Sequence, residues 1–181
     1  MLRPEGDPRH FQPSTYFTTA QKMAKTLMAD AELVRATFMP VSRDGSVDLT
    51  LAAKTDGCNY NGNCGANLYL FRSPSQSRQP GGVPPNVHTL RECGVTVFIY
   101  AQSAIYPAFA VASYWATTRC DDRVGPPPRC TLSQVWAAAL RQGAPPDAAA
   151  KIGWAPGTGW SFSTKLSPGA DGFELTLPDN C

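Results

Sequence analysis

The chain has 181 residues, of which 43% are hydrophobic, enough to bury the core of one medium domain or of two small ones. The formal net charge is only +2 and the basic residues are scattered, so a nucleic-acid partner is not expected. The longest apolar run, 104–115, is too short to span a bilayer, so membrane insertion is not expected either.

The first segment, residues 1–16, contains three prolines and little periodicity, which predicts an N-terminal tail or linker. It has no apolar signal core, so the chain is either cytosolic or follows a removed leader. A helix is predicted from Thr18, whose spacing to Gln21 fits a capping box. A strand follows over 32–41, and these elements open a first α+β unit with an extra hairpin, residues 17–120.

An Asn- and Gly-rich loop with two cysteines separates the next two predicted strands. Residues 46–54 and 66–72 both alternate apolar and polar side chains, as the strands of a hairpin do. A turn near Asn61 places Cys58 opposite Cys64, within disulfide range. The loop lacks the carboxylates of a calcium site and has no basic residue to activate a thiolate. A turn closed by a disulfide is therefore predicted.

A second hairpin is predicted from residues 93–102 and 107–120. Its expected register places Cys93 opposite Cys120, so that a disulfide closes the open end. Between the two hairpins, residues 73–92 form a long connector rich in Ser, Pro and Gly. A loop of this length within a compact domain is usually functional or mobile.

The two remaining cysteines, Cys130 and Cys181, would tie the start of the last segment to the chain terminus. A second choice pairs Cys120 with Cys130 and Cys93 with Cys181. An even number of cysteines without a C-x-x-C motif favours a disulfide framework over a zinc or thioredoxin-type site. Disulfides in turn predict an oxidising compartment, periplasmic or extracellular.

The C-terminal part repeats the order of the first unit. A Pro-rich joint, 121–130, precedes a second α-β-β-β unit, residues 131–181. Its helix is predicted to start with a capping box at Thr131 and Gln134 and to stop at Gly143. The two units share Thr, Gln, Leu, Asp-Ala and a closing Pro, which favours a tandem duplication; chance matching of Ala-rich helices is the alternative.

Few residues in the sequence suggest chemistry. His10 lies in the N-terminal segment and His88 in the long connector, and neither has a partner at metal-ligand spacing. No phosphate-binding loop or nucleophile elbow is present, and no cofactor or metal is predicted. The alternative is a hydrolase site assembled around His88, with Cys93 as nucleophile if that thiol were free.

Aromatic residues are concentrated in the C-terminal unit and on the second hairpin. Trp154 and Trp160 are expected on one face of neighbouring strands. This pattern predicts a core in which Trp136 packs onto the sheet; the alternative is an exposed platform on which a glycan or small ligand stacks. A weaker cluster on the second hairpin contains Tyr100, Tyr106, Tyr114 and Trp115.

The stretches "PPPRCTLSQVWAAALRQGAPPDAAAKIGW" and "GWSF", with the terminal "DNC", resemble extracytoplasmic modules of bacterial envelope proteins. The stretch "DAELVRATFMPVSRDGSVDL" followed by "YLFRSPS" resembles the same group. The order of helix and strands is also similar to PepSY-type and cystatin-like folds. The resemblance spans residues 17–181 and rests on packing, turn and cysteine positions, so it implies a fold and a location and no catalytic residue.

These patterns together predict an α+β fold of antiparallel sheets, each covered by a helix and stapled by disulfides. The predicted function is a non-catalytic secreted or periplasmic module that recognises a protein or peptide partner. The preferred surface combines the 73–92 loop with the edges of hairpin 93–120, because an unpaired edge can accept a partner strand. The candidate binding residues are His88, Tyr106, Trp115, Trp154 and Trp160.

Overall fold

The computed structural model describes residues 2–50, 67–75, 91–102, 107–117, 120–166 and 171–181. Over these ranges the chain is α+β, as predicted. The elements are α1 (Phe17–Lys25), β1 (Glu32–Val41), β2 (Asn67–Arg72), β3 (Arg91–Tyr100), β4 (Phe109–Thr117), α2 (Leu132–Arg141), β5 (Ala150–Ala155), β6 (Gly159–Ser163) and β7 (Glu174–Leu177). Two short 3₁₀ turns, Pro8–His10 and Pro13–Thr15, precede α1.

The strands form one seven-stranded antiparallel sheet in the order β4-β3-β2-β1-β5-β6-β7. The separate sheets expected from the sequence are joined because β1 pairs directly with β5. In this pairing Ala36 faces Trp154, and Phe38 faces Ile152. The strands then run outward in chain order on both sides of the central pair, so β4 and β7 are the outer strands.

Both helices cover the same face of the sheet. Phe17 of α1 packs edge-on against Phe38, with ring centroids 6.0 Å apart, and Trp136 of α2 packs edge-on against Phe162 at 4.7 Å. Phe38 and Phe162 both face Ile152 across their strand pairs, so they lie on one side of the sheet. The opposite side, on which neither helix packs, is termed the open face. Its centre is nevertheless buried, since Leu70 and Thr96, which pair across β2 and β3 on this side, are 3% and 6% exposed.

The N-terminal segment is part of the fold, which corrects the expectation that residues 1–16 are a tail or linker. Phe11 and Tyr16 are 4% and 6% exposed and belong to the main core. Phe11 also exchanges two backbone hydrogen bonds with Val47. The two aromatic rings supply apolar area that is stabilising to bury, and this burial fixes the segment in place.

The first predicted hairpin is wrong. β2 is paired with β1 on one side and with β3 on the other, so neither side is left for residues 46–54. The described part of that stretch, 46–50, contains one isolated bridge, at Val47. The Cys58–Cys64 disulfide remains a prediction, because both residues lie outside the described ranges.

The other two predicted disulfides are present. Cys93–Cys120 and Cys130–Cys181 have Cα separations of 5.9 and 5.5 Å. The register expected for the first pair was different, since Cys93 lies at an irregularity in the β3–β4 pairing rather than opposite Cys120. Cys120 follows the end of β4, and the disulfide fastens it back to β3.

The start of α2 is set by a local sequence signal, whereas the start of α1 is set by packing. At the start of α2, Thr131 accepts the Gln134 N–H at 3.3 Å and donates its own N–H to the Gln134 side chain at 2.8 Å, as the capping box predicts. The helix stops before Gly143, which has a φ of 95°. By contrast, α1 starts one residue before Thr18, because burial of Phe17 fixes the first turn.

Candidate functional site

The two tryptophans proposed as a stacking platform lie in the core. Trp160 is fully buried and Trp154 is 6% exposed, and they face each other across the β5–β6 pair. The predicted core arrangement of Trp136 is confirmed, since its ring packs on Phe162 and its indole N–H donates to the Val41 carbonyl at 3.3 Å. Neither Trp154 nor Trp160 therefore offers a ring face to a glycan.

The remaining candidate residues are only partly within the described chain. His88 and Tyr106 lie outside it, as does most of the 73–92 loop. Trp115 lies on β4 opposite Gly94, and its side chain is outside the description. The hydrolase hypothesis around His88 stays a prediction, but the disulfide of Cys93 removes that thiol as its nucleophile.

Asp30, a carboxyl group with a lowered pKa, holds the start of the long connector next to the segment that follows α1. Hydrogen bonds from the Ser73 hydroxyl and from Ser75 lower the pKa of Asp30 to about 2. The Ser75 backbone N–H donates to this carboxylate at 2.9 Å. Donors that stabilise the charged form lower a carboxyl pKa, so Asp30 acts as a structural acceptor.

A second carboxyl group holds the C-terminal segment against the start of α2. Burial raises the pKa of Asp179, but hydrogen bonding from Arg129, Cys130, Trp160 and Trp154 outweighs it, and the net pKa is lowered. Three of these donors, the backbone N–H groups of Arg129 and Cys130 and the indole N–H of Trp160, lie 3.0 to 3.1 Å from Oδ1. The Cys130–Cys181 disulfide fixes the same segment covalently.

The outer side of β4 already holds an extended piece of this chain. The Leu2 N–H donates to the Ala110 carbonyl at 3.1 Å, and the Ala110 N–H donates to the Leu2 carbonyl at 2.7 Å. Residues 2–4 are termed the N-terminal arm. Nothing in the sequence marks this contact, because the backbone of any residue other than proline can make it.

The contact also orients the backbone of β4. Since Ala110 directs both backbone groups outward to Leu2, the alternation of an antiparallel strand directs those of Ala112 outward as well. Ala110 is fully buried in the main core, whereas Ala112 is partly exposed and Ser113 is exposed. No described strand lies outside β4. The outer side of residues 110–116 is termed the β4 edge, and Leu2 is the described residue that forms a bridge to it.

An aromatic patch on the open face adjoins this edge. Tyr100 stacks on Phe109 with ring centroids 4.9 Å apart, and Phe98 lies 5.7 Å from Tyr100. All three rings are partly exposed, as is Val111, the next residue of β4 on the same face. A strand added outside β4 would place its side chains next to Phe109 and Val111.

The other end of the open face is polar. Lys151, Lys165 and Glu174 line a shallow depression of about 520 Å³, in which the Lys165 ammonium lies 3.0 Å from Glu174. Hydrogen bonding and charge from Lys165 lower the pKa of Glu174. In the ranges that the structure covers, no three His, Cys, Asp or Glu side chains are grouped to hold a metal ion. None of the described helices has the length and apolar character needed to cross a membrane.

Comparison with protein-family models, with curated proteins and with solved structures finds no match for this chain. The resemblance to extracytoplasmic modules and to PepSY-like or cystatin-like folds therefore stays a prediction. The class that the structure defines is an α+β protein with a single antiparallel sheet and two helices on one face. Its most distinctive surface feature is an outer strand with an arm of the same chain bound to one end.

Proposed function

We propose that the protein is a non-catalytic module that binds a protein or peptide partner by accepting a strand at the β4 edge. The observation that carries the proposal is the pair of backbone hydrogen bonds between Leu2 and Ala110. These bonds are the contacts that strand addition uses, with the ligand supplied by the chain itself. A partner strand would continue the ladder along the outward groups of Ala112.

The composition of β4 supports this proposal. Proteins usually protect outer strands from pairing with charged residues, prolines, bulges or very short length. β4 has nine residues, FAVASYWAT, with no charge and no proline. A long, uncharged outer strand is a template for pairing with another chain, and such a template is useful to a binding module.

The side chains beside the edge select the partner. Residues directly opposite each other in an antiparallel pair interact, and aromatic and β-branched pairs are favoured. On the open face these positions of β4 are Phe109 and Val111, followed by the exposed Ser113. The expected ligand is an extended segment with apolar side chains opposite the first two and a polar one opposite the third.

The disulfides bear on where the module acts. The Cys93–Cys120 and Cys130–Cys181 bonds fit an oxidising compartment. We propose that this compartment is the periplasm or the exterior of a bacterial cell, in line with the resemblance drawn from the sequence. A tandem duplication is also proposed; its support is that the first strands of the two predicted units, β1 and β5, pair at the sheet centre.

The test is selection of a phage-displayed library of random peptides against the protein, followed by binding to edge variants. Ala112→Pro removes an outward N–H, which an outer strand tolerates, and one lost hydrogen bond should weaken selected peptides by about tenfold. Ala112→Ser keeps the N–H and is the matched control. Peptides that bind Ala112→Pro as tightly as the unaltered protein would show that the β4 edge is not the site.

A further inference from the structure

We infer that the N-terminal arm holds the place of a partner strand, and that the partner is an extended, proline-free peptide segment that displaces the arm from Ala110. This inference rests on the proposed function, since it concerns the same edge. It adds that the edge is partly self-occupied and that the arm competes with the ligand.

The arm is held weakly by its side chain. Leu2 is 51% exposed, which makes it one of the two large hydrophobic residues that remain exposed in the described chain. Its two backbone hydrogen bonds to Ala110 are therefore the main attachment. The net gain from two such bonds is of the same order as the conformational entropy lost by ordering the arm. An occupant held this way is readily displaced.

Proline limits how far the arm can pair. In an antiparallel ladder, every second residue directs its backbone groups toward the neighbouring strand. The residue two positions after Leu2 is Pro4, which has no N–H to donate toward Ala108. The arm consequently forms one isolated bridge to β4 rather than a strand. A segment without this proline can make the bonds that the arm cannot, and so it replaces the arm.

Two variants weaken or remove the contact between the arm and Ala110 in different ways. Deletion of residues 1–6 removes the arm but keeps Asp7, whose carboxylate accepts the Arg9 N–H at 2.9 Å and caps the first 3₁₀ turn. Leu2→Pro in the full chain removes only the N–H that Leu2 donates to Ala110. Leu2→Ala keeps both backbone bonds and is the matched control.

The probe is a synthetic peptide of residues 1–6 with Arg3→Val and Pro4→Val, extended at its N-terminus by Ser-Ala so that it reaches Ala112 and Ser113 in the register of Leu2 and Ala110. It is titrated into ¹⁵N-labelled protein while the Ala110 and Ala112 amide resonances are followed by NMR. Because the arm occupies the site in about half of the molecules when its bonds and its ordering cost are nearly balanced, the deletion and Leu2→Pro variants should bind the peptide about twofold more tightly than the full chain and Leu2→Ala. Equal affinity for all four proteins, with shifts at Ala110, would overturn the competition and leave strand addition standing. An absence of shifts at both amides in every protein would overturn both.

Discussion

Asp179→Ala is expected to be one of the most destabilising single changes at the surface of this protein. Its carboxylate accepts three N–H donors, and two of them belong to buried residues: Cys130, which is 3% exposed, and Trp160, which is fully buried. The N–H of the exposed Arg129 can turn to water instead. Two buried donors left without an acceptor cost about 1–2 kcal/mol each, so the free energy of unfolding should fall by about 3 kcal/mol.

Urea denaturation followed by tryptophan fluorescence measures this loss. With a slope of about 2 kcal/mol per molar urea, the midpoint of Asp179→Ala should fall by about 1.5 M. Asp147→Ala is the control, because Asp147 is exposed and its removal should change stability by less than about 0.5 kcal/mol. If Asp179→Ala matched that control, the carboxylate would have no structural role and the reasoning would fail.

The pH dependence gives an independent check on the same group. The pKa of Asp179 is lowered in the folded state, so its contribution is complete above the unfolded pKa of about 3.9 and is lost as the pH falls through the lower folded value. Asp179→Asn cannot lose this contribution in acid because it carries no charge. The stability difference between the unaltered protein and Asp179→Asn should therefore shrink below about pH 4, and a constant difference from pH 7 to pH 3 would contradict the lowered pKa.

Two further sets of substitutions test the Cys130–Cys181 disulfide and a buried hydrogen bond of the core. The double variant Cys130→Ala, Cys181→Ala should lose about 4 kcal/mol in chemical denaturation, because the bond spans 51 residues and restricts the unfolded chain; a loss below about 1 kcal/mol would contradict the chain-entropy account. Tyr69→Phe should lose about 1–2 kcal/mol, because the fully buried hydroxyl donates to the Pro13 carbonyl at 2.8 Å and the variant leaves that carbonyl unpaired. Thermal melting by circular dichroism checks the second change, and an unchanged melting temperature would refute it.

Elements governed by local patterns were predictable from the sequence. The alternation over 32–41 identified β1 with its observed limits, and the Thr131–Gln134 spacing identified the start of α2. The stretch 46–54 alternates in the same way, yet β2 has no side left to pair with it. Alternation shows which side chains can share a face and carries no information on which strand will be the neighbour.

The candidate site was predictable only in outline. The hairpin that contains the β4 edge followed from the strand patterns around Cys93 and Cys120, and the outward pairing potential of an edge followed from its place in that hairpin. The bridge between Leu2 and Ala110 could not be foreseen, because it joins backbone groups far apart in the chain and needs no particular side chain. Trp154 and Trp160 suggested a glycan platform because tryptophans that pack in a core and tryptophans that stack on a sugar occur at the same alternating positions of a strand sequence.

The contrast between the two outer strands favours β4 over β7 as the binding edge. β7 has only four residues and is followed at once by Pro178, which cannot donate to a ladder. The chain beyond it is then turned back by Asp179 and by the disulfide of Cys181. Short length and a following proline are devices that keep an edge from pairing, and β4 has neither. In the described chain one edge is protected and the other carries one isolated bridge, and the proposed strand addition requires this arrangement, because only one edge then competes for the partner.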